Sequence, residues 1–78
     1  MDSIELLETT FGHYGERCTI KVSTGDVYSG IYHGYSESTP ENPLILRLII
    51  SNDEATRIGV PYMSEIGIRY EHIAAICF

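Results

Sequence analysis

Residues 22–36 read VSTGDVYSGIYHGYS, and the way this stretch turns and bends decides the fold. Just before it the period is two. Cys18, Ile20 and Val22 alternate with Thr19, Lys21 and Ser23, the pattern of a strand with one buried face. Residues 23–26, STGD, then form a tight turn in which Gly25 is free to take a positive φ. A second strand over residues 27–35 carries Gly30 in its interior. A glycine there marks a bulge, a sharp bend or a close approach of two backbones, so this strand is expected to bend strongly.

Toward the N-terminus, Asp2 and Glu5 have capping-box spacing and acids fill the first turn. Ile4, Leu7 and Phe11 fall on one helical stripe and Gly12 stands as a stop, so a helix is expected over about residues 3–10 with that stripe as its apolar face. Residues 13–17 are a loop.

Toward the C-terminus, SESTPENP is a loop, because two prolines and polar residues cannot sustain a ladder. LILRLIIS follows, with Leu44, Leu46, Leu48 and Ile50 on one face and Ile45, Arg47 and Ile49 on the other. Both faces are largely apolar, as in a central strand. Asn52, Asp53 and Glu54 read as a turn, after which a strand resumes either near Arg57 or only beyond Pro61. YMSEIGIRY and HIAAICF complete the set. One helix and then five strands with very short connections predict a mainly β, small and strongly bent barrel rather than a sandwich, in a single domain spanning residues 1–78.

The last strand poses a burial problem. In HIAAICF, Ile73, Ala75 and Cys77 alternate with Ala74, Ile76 and Phe78, so both faces call for cover, and no proline or lysine blunts the edge. A chain of 78 residues has a small core set against an ordering cost on the order of 100 kcal/mol, so partners are expected. A head-to-tail contact that closes on itself satisfies every edge. The alternative is that the strand lies inside one barrel.

Composition limits the functions. With Arg17, Lys21, Arg47, Arg57 and Arg69 against eleven acids, the net charge is −6, the opposite of a protein that binds by neutralising phosphates. Cys18 and Cys77 form no CxxC pair and no zinc-spaced cluster with histidine, and both read as buried free thiols in a reducing, cytoplasmic setting. The start has no basic leader, and no apolar run has the length of a membrane span. His13, His33 and His72 lack metal-ligand spacing, and Ser, His and Asp occur without a nucleophile elbow. No enzyme, metal or cofactor is expected.

Two motifs taken together carry a resemblance. Residues 22–36 read as apolar, any, polar, Gly, any, any, aromatic, any, Gly, with Val22, Thr24, Gly25, Tyr28, Gly30, Gly34 and Tyr35 in place, and IRYEHIAAI supplies Ile68, Arg69, Ile73 and Ile76 at matching intervals. In both respects the chain resembles the Sm-like family of Sm, LSm and Hfq proteins. Tyr70 stands where the family has glycine, and YEH is an out-of-register echo of the Tyr-Lys-His of Hfq. The resemblance implies an N-terminal helix capping a five-stranded, strongly bent open barrel of the SH3 type, and a closed ring of about five to seven copies in which the fourth strand of one subunit pairs with the fifth of the next. Ile66, Ile68, Ile73, Ala75, Ile76 and Phe78 would form the joint.

It also implies binding of U-rich or A-rich single-stranded RNA in the pore. Carried over residue by residue, the candidates are Tyr35, Ser36, Asn42, Arg69 and Tyr70. Ser36 replaces the family Asp, the loop is about two residues longer, and Pro43 follows Asn42. Arg69 has a competing role, pairing Glu65 or Glu71 of a neighbouring subunit. An acidic scaffold or protein-interaction ring that has lost the RNA site is therefore the alternative function.

Overall fold

A computed structural model describes residues 2–36 and 44–78. Helix α1 spans Ser3–Thr10 and is capped by Asp2, whose carboxylate accepts the Glu5 N–H at 2.8 Å. Strands β1 (Arg17–Val22), β2 (Val27–Ser36) and β3 (Ile45–Ile50) follow, then helix α2 (Asn52–Ile58), β4 (Glu65–Arg69), a single 3-10 turn at Tyr70–His72, and β5 (Ile73–Cys77). The five strands make one antiparallel sheet in the order β4-β3-β2-β1-β5. This is a mainly β, barrel-like fold with an N-terminal helix.

The alternation expected for β1 and β3 holds. Cys18, Ile20 and Val22 of β1, and Leu46, Leu48 and Ile50 of β3, face the core, which Leu6, Tyr32, Ile68 and Ile73 complete.

The bend in β2 is built from two glycines with different tasks. Gly30 marks a close approach: a Cβ built there would lie 2.3 Å from the Ile49 carbonyl oxygen on β3. The register break comes later, between Tyr32 and Tyr35, where Gly34 takes φ +85°.

Four expectations are corrected. First, the stripe Ile4, Leu7 and Phe11 does not face the core. Leu6 and Thr10 do, and Ile4 is 68 % and Phe11 86 % exposed. Thr10 is admissible inside because its hydroxyl donates to the Leu6 carbonyl at 2.8 Å.

Second, residues 52–58 are neither a turn nor a strand. Ser51 caps α2 by accepting the Glu54 N–H at 3.2 Å, and Gly59 ends it in the left-handed conformation at φ 78°.

Third, β5 does not alternate evenly. Val22 pairs with Ile73 and Lys21 with Ala75, so Ala74 is bulged out and Ile73 and Ile76 both pack on the core. Fourth, Cys77 is exposed while Cys18 is buried, because Cys77 lies opposite Thr19 on the outer face. Burial pushes the Cys18 thiol up to about 11.

Helix α2 performs a task that β3 leaves undone. β3 pairs with β2 only as far as Gly30, so between Val27 and Ser29 β2 is paired with β1 on one side and has no strand on the β3 side. Glu54, buried, accepts the Ser29 N–H at 2.9 Å, and Arg57 Nη2 donates to the Val27 carbonyl at 2.7 Å. The two side chains are joined to each other through Arg57 Nε and Glu54 Oε1. An acceptor and a donor on one helix thus stand in for a missing stretch of strand backbone.

Candidate nucleic-acid interface

Pairing brings some of the expected RNA-binding residues together. Ser36 pairs with Ile45 and Ile45 with Arg69, so Ser36 and Arg69 lie in one row across β2, β3 and β4. Tyr70 follows directly and donates its N–H to the Leu44 carbonyl at 3.2 Å. Tyr70 is half-buried and packs on the core, leaving part of the ring accessible.

Tyr35 does not join this row. The bulge at Gly34 pairs it with Leu46 on the opposite side of the sheet, and its ring lines a groove beside α1 with Leu7, Phe11 and Tyr14. Asn42 falls outside the described residues.

Arg69 lines a cleft of about 570 Å³ at the β4 edge, together with Val22, Thr24, Tyr28, Ile58, Ile66, Ile68 and His72. Four elements build it: the β1–β2 hairpin, the end of α2, β4 and the 3-10 turn that follows β4. The Ser23 N–H donates to the His72 carbonyl at 2.8 Å and ties the hairpin to the turn before β5. Thr24, Tyr28, Ile58 and His72 were not singled out for such a site from the sequence. Only the position of α2 brings Ile58 there, and α2 itself reads as a turn from composition.

Charge in this region is largely neutralised within the chain. Arg69 Nε lies 3.4 Å from Glu71 Oε1 with both groups about half exposed, so Arg69 pairs with a glutamate of its own chain. On the outer face, Glu65 accepts from Arg47 Nε at 2.8 Å and from His33 Nδ1–H at 2.8 Å, linking β2, β3 and β4. The Arg47 hydrogen bond, and after it that from His33, holds the Glu65 carboxyl below the usual carboxylate range.

Of the residues expected at a ring joint, Ile68 and Ile73 lie in the chain's own core. Ile66 and Ile76 are half-buried against it, while Ala75 and Phe78 are exposed. Phe78 stacks on His13 with ring centroids 4.2 Å apart and meets Tyr32 edge-on.

Among the described residues no group of His, Cys, Asp and Glu is placed to hold a metal ion, and no helix is long and apolar enough to cross a membrane. In comparisons with protein families, curated proteins and solved structures, nothing matches the chain.

Proposed function

We propose that the chain is an Sm-like, ring-forming protein in which β4 of one subunit pairs with β5 of the next, and that short single-stranded RNA, U-rich or A-rich, binds in the pore. The observation that carries this reading is the sheet order β4-β3-β2-β1-β5. It leaves β4 and β5 as the two edges, each five residues long and each paired on one side only among the described residues. Two edges of equal length invite addition of another chain, and a head-to-tail contact that closes leaves none open. Ile66, Ala75, Ile76 and Phe78 would meet at the joint, with Ile68 and Ile73 holding the two strands from inside each core.

In a ring, the row Ser36 to Arg69 recurs once per subunit. Each copy offers a modest site: Arg69 supplies charge and Tyr70 a stacking face. Sites acting together on one strand bind it far more tightly than any one of them. The role is binding rather than catalysis, and two free cysteines suit a cytoplasmic setting.

A second reading has a specific observation in its favour. Arg69 is paired with Glu71 and the chain carries a net charge of −6, which suits an acidic scaffold ring with protein partners. Titration of labelled U-rich and A-rich RNA at low salt separates the two. RNA binding predicts salt-sensitive association that Arg69→Ala weakens and Glu71→Gln strengthens. If neither RNA binds more tightly than about 10⁻⁴ M, the level of non-specific association, the scaffold reading takes its place.

A further inference from the structure

The strongest unexplained surface lies on α1. A helix normally turns its most apolar stripe inward, yet here Leu6 and Thr10 face the core while Ile4 and Phe11 stand in solvent and Leu7 is partly exposed. The stripe continues on one side into a groove of about 400 Å³ between α1 and the end of β2, walled by Leu7, Phe11, Tyr14 and Tyr35. Tyr14 and Tyr35 are both exposed there, so the groove offers aromatic faces with hydroxyl groups at hand. On the other side of the stripe, helical geometry puts Glu8 and then Glu5, both exposed, and α1 carries no base.

Charge selects the occupant. At this face a second copy of α1 would set Glu5 and Glu8 against the same residues of the first, and nucleic acid or an anionic bilayer would be repelled by them in the same way. We propose that this stripe and groove dock a basic amphipathic segment of another protein, its apolar anchors seated among Leu7, Phe11, Tyr14 and Tyr35 and its lysines or arginines facing Glu5 and Glu8. An apolar helix face laid in a groove with complementary charge at the rim is an established mode of peptide recognition. The proposal is independent of ring formation and of RNA binding.

The probe is a fluorescein-labelled helical peptide of leucine and lysine with leucines at i, i+3, i+4 and i+7. Its comparators are the same peptide with glutamate for each lysine and a scrambled leucine order. The full chain is expected to bind the leucine–lysine peptide and neither comparator. Phe11→Ser should weaken that binding by about tenfold or more, as loss of a central aromatic anchor does. Phe11 is 86 % exposed, so the fold should be unaffected, which circular dichroism checks. Glu5→Gln with Glu8→Gln should reduce the salt dependence of binding, whereas Tyr62→Ser, at an exposed site elsewhere, should change nothing. Unaltered affinity in Phe11→Ser, or equal binding of the glutamate peptide, overturns the proposal. So does a drop in the mass of the wild-type assembly on Phe11→Ser, which would make the occupant a second copy.

Discussion

At the scale of single residues, Gly30 is the glycine at which a side chain would meet the closest contacts. A methyl group there would meet the Ile49 carbonyl at 2.3 Å and the Ile50 Cα at 2.9 Å, both backbone atoms that no side-chain rotation can move aside. Gly67 is tight in a different way, because its neighbour is the Ile45 Cγ2 at 2.7 Å, the end of a side chain with other rotamers. Gly30→Ala and Gly30→Val should therefore each cost about 2 kcal/mol or more, and Gly67→Ala distinctly less, as read from urea midpoints. Equal costs would mean that β2 and β3 do not approach closely at Gly30. Cys18 gives a second expectation. Its thiol is held near 11, above the ordinary cysteine value of about 8.5. The neutral thiol thus favours the folded state fully below the unfolded value, and that contribution is lost as pH rises toward 11. Stability should decline across this window with a steeper slope in wild type than in Cys18→Ala. A thiol reagent at pH 8 should leave Cys18 unmodified until the chain unfolds.

At the scale of elements, α2 explains how β2 remains hydrogen-bonded beyond the end of β3. Glu54→Ala leaves the Ser29 N–H without its acceptor and Arg57 without its counter-charge, and should cost about 2 kcal/mol. Glu54→Gln keeps an acceptor oxygen and should cost less, so equal losses in the two variants would contradict the role assigned to the helix. This element was also the least legible in the sequence. Its capping pair, Ser51 and Glu54, and its terminal Gly59 are visible there, but seven residues with Ala55 and Ile58 as the apolar positions give too little periodicity to outweigh a turn reading of Asn52 and Asp53. α1 was legible in extent and misread in orientation: its bounds follow from Asp2 and Gly12, whereas its inward face depends on Thr10 bonding back to Leu6. β5 was legible as a strand but not in register, since nothing in HIAAICF marks Ala74 as the bulged residue. Bulges and helix orientation are settled by neighbours distant in sequence, which local pattern does not report. For the same reason the sequence does not show that Ser36, and not Tyr35, shares a row with Ile45: neighbours in a strand always take opposite faces, and the bulge before Tyr35 decides which of the two takes which.

At the scale of the whole molecule, the account turns on the two sheet edges. β1, β2 and β3 are each paired on both sides, and β4 and β5 on one side each among the described residues. Two short edges, with an exposed Phe78 at one of them and a cleft beneath the other, are the features on which the proposed addition of further copies rests. Ring closure would turn the single row from Ser36 to Arg69 into a repeated one, which is what lets a weak site matter. Removing residues 73–78 is a poor test of this, because Ile73 is 1 % exposed and its loss would damage the core of each subunit as well as the joint. Sedimentation of the intact chain at micromolar concentration is direct. The account predicts one closed species of about five to seven subunits; a stable, folded monomer under those conditions would contradict it.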